Sequence, residues 1–139
     1  GVDQAFPSWI PELDLDRINY LDLELYDVYN IIADRYPDQV LSQYNTIFDK
    51  TQVYYYEAMS GGGDNAWTLG MTNSINQILG NAPNFRSFIG PGDDHCAIVD
   101  ERFYTAEANG VRLVDWIRDM TRGDDVDNVF CEDCEGFEE

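Results

Sequence analysis

Apolar residues recur along this chain at two different spacings, and the alternation between them predicts its elements. From about Tyr20 to Arg35, Leu21, Leu25, Val28, Tyr29, Ile32 and Ala33 fall at intervals of three and four, which lines one face of a helix. Pro37 stops that helix. Val40–Tyr44 is a short apolar run read as a strand. Thr51–Met59 is read as helical, although Val53-Tyr54-Tyr55-Tyr56 has the composition of a strand. Ser60-Gly61-Gly62-Gly63-Asp64 is a break. A further helix runs from Ala66 to Leu79 and ends at Gly80-Asn81, with Pro83 beyond. Phe85–Ile89 is the second strand. Asn109-Gly110 is a turn, and Val111–Thr121 forms a last helix with Leu113, Trp116, Ile117 and Met120 as its apolar stripe. Gly123 caps it.

Helices separating short apolar strands build a parallel sheet covered on both faces, so the fold class is α/β. Two strands cannot make such a sheet alone. An upstream segment or a second chain is therefore expected to complete it, in a homo-oligomer or an extracellular assembly. The chain reads as one domain over 1–139, with an extended arm over 1–19 and an acidic, cysteine-containing tail over 122–139. No internal repeat is present.

Composition narrows the partners. Hydrophobic residues make up 44% of the 139, enough for a folded core despite a net charge of −19. Eight basic residues against 27 acidic ones leave nothing to neutralise a phosphate backbone, which excludes nucleic acid as a partner. No stretch is apolar for the ~20 residues that a membrane span needs. Gly1-Val2-Asp3-Gln4 lacks the features of a signal peptide, so an exported chain would have lost its signal or carried it further upstream.

Candidate chemistry centres on the single histidine. His95 lies in Gly90-Pro91-Gly92-Asp93-Asp94-His95-Cys96, directly after the second strand. Imidazole exchanges protons near neutral pH, and a loop at a strand end lets it reach outward as a general base. Asp49 follows the first strand. A carboxylate there would fix the imidazole tautomer and stabilise the imidazolium. Each residue has a structural alternative. Asp49 could cap a helix opening at Lys50-Thr51-Gln52, and His95 could be satisfied by Asp93 or Asp94. The nucleophile is missing: no Gly-x-Ser-x-Gly occurs. Ser8, Ser42, Ser60, Ser74 and Ser87 fall in the arm, in strands, in a helix or after one, and none sits on a strand-to-helix elbow.

Three cysteines, Cys96, Cys131 and Cys134, leave one over after any single bridge. Cys131-Glu132-Asp133-Cys134 has the spacing of half a zinc ribbon without the other half, and its acidic surroundings disfavour a thiolate. Structural disulfides and a secreted, oxidising location are the expected reading. A bridge from Cys96 to Cys131 or Cys134 is expected, closing a loop of roughly 35 residues worth ~3–4 kcal/mol by chain entropy. The competing Cys131–Cys134 pair would close a much shorter loop. No cofactor is implied, because the glycine run matches neither a P-loop nor a dinucleotide fingerprint. Asp124-Asp125-Val126-Asp127-Asn128 lacks EF-hand spacing, so no metal site is assigned. The aromatics Tyr54, Tyr55, Tyr56, Trp67, Phe85 and Phe88 could form a sugar-stacking wall or pack in the core.

Phe48-Asp49-Lys50-Thr51-Gln52 resembles the Phe-Asp-x-x-Gln at the catalytic acid of the pectin acetylesterase family of secreted carboxylesterases, and His95-Cys96 resembles its catalytic His-Cys. Looser similarity covers Gly110–Trp116 and the C-terminal cysteines. The resemblance spans about Tyr36 to Cys134 and looks like that family's C-terminal portion. It implies an α/β-hydrolase fold, incomplete on its own, with Asp49 as triad acid and His95 as base. The family's serine elbow and oxyanion donors have no counterpart here. The competing reading is a non-catalytic secreted structural or interaction protein derived from that fold.

Overall fold

Three parallel strands, flanked by helices on both faces, form the centre of the molecule. The computed structural model describes residues 23–59, 61–99, 101–131 and 134. The extended arm read over 1–19 therefore lies outside the described residues, as do Ser8 and Ser60.

Helix α1 (Leu25–Arg35) starts later than its periodicity suggests, because Glu24 and Asp27 form a reciprocal capping box that fixes the N-terminus. The Asp27 carboxylate accepts from the Glu24 amide at 3.0 Å. After α1 the chain turns sharply, and one side chain holds the turn. Asn84 Nδ2 donates to the carbonyls of Tyr36 at 3.0 Å and Gln39 at 2.7 Å. Strand β1 (Leu41–Thr46) follows, then α2 (Lys50–Ala58) and α3 (Asp64–Asn81). The strand-forming run at Val53–Tyr56 is helical within α2. The Asp49 cap sets the helix, and only Val53 of that run is buried, so tertiary context overrides propensity.

Strand β2 (Phe85–Gly90) lies parallel to and beside β1, with Leu41 opposite Phe85 and Thr46 opposite Gly90. The expected parallel pair is therefore present, each strand extending further than read. The third strand comes from within the chain. Strand β5 (Val129–Phe130) pairs parallel with the other edge of β2. It lies in the stretch read as an acidic tail, where two apolar residues among aspartates carry no strand pattern. Between β2 and β5 come a short helix α4 (Arg102–Thr105), a hairpin of β3 (Glu107–Ala108) and β4 (Val111–Arg112), and helix α5 (Leu113–Arg122). The hairpin turns on Asn109 (φ 52°) and Gly110 (φ 78°), the left-handed pair that a two-residue hairpin requires. It takes Val111 and Arg112 out of the expected helix.

Alternation along the strands gives two cores. Phe85 and Ile89 pack with Ala33 of α1 and Ile75 and Ile78 of α3. Phe88 and Val129 face the opposite side, against Leu113 and Trp116 of α5. Phe88 is fully buried, its ring edge-on to Trp116 at 5.6 Å. These packed faces bring the C-terminal ends of β1 and β2 into one place.

Candidate active site

Loops leaving the ends of β1 and β2 run side by side, laced by backbone bonds. The amides of Ile47, Phe48 and Lys50 donate to the carbonyls of Gly90, Gly92 and Asp93, at 3.0, 3.1 and 3.0 Å. Gly92 has φ 95°, a conformation that glycine adopts without strain. This lacing brings Asp49 and His95 together.

His95 Nδ1 lies 2.9 Å from Asp49 Oδ2. The other oxygen, Oδ1, accepts from the Gln52 amide at 2.9 Å and caps α2. One carboxylate thus caps the helix and meets the imidazole. Its side chain is 6% exposed, whereas that of His95 is 43% exposed. A carboxylate beside Nδ1 favours the neutral tautomer that carries its proton on that nitrogen. Asp93 and Asp94 are engaged elsewhere: Lys50 pairs with Asp93 and Arg102 with Asp94. Lys50 beside it holds the Asp93 carboxyl below the usual carboxylate range.

Among the described serines, none stands in the role of nucleophile. Ser87 is fully buried in the middle of β2. Ser42 lies within β1. Ser74 lines a cavity of about 220 Å³ beside β1, together with Gln43, Asn45, Gln52, Tyr56 and Trp67. Of the aromatics that could form a wall or pack in the core, half take the core alternative. Trp67, Phe85 and Phe88 are buried, while Tyr54 and Tyr55 are exposed on α2.

The cysteine pairing differs from expectation. Cys131 and Cys134 form a disulfide across a Cα separation of 5.5 Å, and Cys96 is an exposed free thiol. Ala97, the next residue, is 3% exposed and packs in the α5-side core, while Cys96 itself lies on the surface. The Cα separation of the observed pair falls within the range a disulfide accepts.

No group of three or more His, Cys, Asp or Glu residues able to hold a metal ion occurs among the described residues. No helix among them is long and apolar enough to cross a membrane. Comparison with known proteins finds no matching family model, curated protein or solved structure.

Proposed function

We propose that this chain carries the acid and histidine of a secreted carboxylesterase of α/β-hydrolase type, the nucleophilic serine being contributed by an upstream segment or a second chain. The observation that supports this reading is the buried Asp49 on Nδ1 of a half-exposed His95, at adjacent ends of two parallel strands. That order of strand, acid, strand, histidine is how such a fold presents two members of a triad. His95 Nε2 would take the proton of the serine hydroxyl as it attacks the ester carbonyl, then return it to the leaving alkoxide. Asp49 would stabilise the imidazolium between these steps without itself being protonated. The Cys131–Cys134 disulfide supports an oxidising location.

A second reading, a non-catalytic structural or interaction protein on the same scaffold, is favoured by the absence of a suitable serine among the described residues. Hydrolysis of a chromogenic acetate ester separates the two. The isolated chain turns over no ester, whereas the protein isolated natively with its completing partner does. Replacing Asp49 with Asn lowers that rate by about 10⁴, and replacing His95 with Ala by about 10⁶. A native preparation without activity, or one indifferent to His95→Ala, would remove the esterase reading.

A further inference from the structure

We propose that Thr46 is a positioning residue for His95, its buried hydroxyl setting the backbone from which the imidazole reaches Asp49. The inference rests on reading Asp49 and His95 as a functional couple. Thr46 ends β1 and is 2% exposed. Its Oγ1 donates to the carbonyl of Asp94 at 2.7 Å, and Asp94 immediately precedes His95. Valine has almost the same shape, favours strands as strongly, and carries no hydroxyl to desolvate. A buried threonine here gains over valine only through that bond.

The bond falls just beyond the backbone lacing, on a residue whose side chain also pairs with Arg102. Backbone lacing fixes the loop at Gly90, Gly92 and Asp93, and its last rung is the Lys50 amide on the Asp93 carbonyl. One residue further on, the Thr46 hydroxyl takes over. On the far side of the imidazole, Ala97 is anchored in the core. His95 is therefore suspended between a hydrogen bond to the preceding residue and a packed side chain two residues later. The acid loop has a matching anchor. Thr68, on α3 and 4% exposed, donates to the Ile47 carbonyl at 2.8 Å. Catalytic groups keep productive geometry only when held to about 0.5 Å, which such supporting bonds provide.

The single histidine makes the test direct, because a chain labelled with ¹⁵N-histidine gives one pair of ring-nitrogen resonances. These report the tautomer at alkaline pH, where an imidazole is neutral. The wild-type chain should show the Nδ1–H tautomer, and Asp49→Asn should lose it. Thr46→Val should move the signals toward the Asp49→Asn pattern, and Thr46→Ser, which keeps the hydroxyl, should restore the wild-type pattern. If Asp49→Asn changes the tautomer while Thr46→Val leaves it intact, the couple stands and the role of Thr46 is refuted. Equal loss in the Val and Ser variants would also refute it, since shape and not the hydroxyl would then matter. If wild type and Asp49→Asn give the same spectrum, the couple itself is absent and the proposal falls with it. Should Thr46→Val fail to fold, Thr46→Ala against Thr46→Ser reads the same difference.

Discussion

Asp49 grips His95 with one carboxylate oxygen, at 2.9 Å from Nδ1, and the first turn of α2 with the other. The acid is thus held rigid by the helix it caps, and the geometry of the couple is tied to the stability of α2. Substitutions at this position have separable effects. Asparagine can keep the cap, because its carbonyl oxygen accepts from the Gln52 amide, but its NH₂ group must then face the histidine. Alanine loses both contacts. Asp49→Ala is expected to cost about 1 kcal/mol of stability through the lost cap, and Asp49→Asn only a fraction of that. Urea unfolding of the two variants checks this. Equal destabilisation would show that the cap contributes nothing.

The cysteines give a second measurable outcome. Native protein should react with one equivalent of a thiol reagent, at Cys96, which is exposed. Peptide mapping should find Cys131 linked to Cys134. Replacing both bridged cysteines with serine should cost about 2 kcal/mol or less, since the loop they close is very short. Three reactive thiols in the folded oxidised protein, or a Cys96-containing disulfide, would contradict this arrangement.

Alkaline stability should depend on Tyr29. Its ring packs edge-on against Phe85 at 5.4 Å, and burial raises the phenol pKa above the ordinary value near 10. A raised pKa means that the folded state retains a proton the unfolded chain gives up. The stabilisation is complete below the unfolded pKa and is lost as pH rises through the folded one. Tyr29→Phe should therefore flatten the loss of stability above about pH 10. Parallel alkaline profiles for wild type and variant would count against Tyr29 as its source.

Local pattern made much of this fold legible. The apolar run at Phe85–Ile89 and the stripe Leu113–Trp116–Ile117–Met120 each reflect a face packed on a core. The helical spacing around Leu25–Ala33, by contrast, places only Ala33 and part of Tyr29 there and leaves Leu25 exposed. The meeting of Asp49 with His95 was legible because each follows the end of one of two neighbouring parallel strands. The rest depended on contacts remote in sequence. Val129–Phe130 is too short to carry a period, and becomes a strand only because β2 offers it an edge. The pairing of the cysteines followed their placement in the fold, Cys96 on the surface and Cys131 against the α5-side core, which spacing does not encode. Thr46 and Thr68 look like ordinary strand and helix residues until the carbonyls they bind are seen.

The segment leading into the two-residue β5 is tied by hydrogen bonds to β2 and α5. Arg86 of β2 donates to the Val126 carbonyl at 2.8 Å, Asn128 accepts from the Ser87 amide at 2.8 Å, and Trp116 of α5 donates to the Asp127 carbonyl at 2.8 Å. Two of those anchors need β2 and the third needs α5, so the short third strand draws its support from both of the layers it joins. Amide hydrogen exchange at Val129 and Phe130 would then sense any loosening of the α5-side core before the β1–β2 pair registered it.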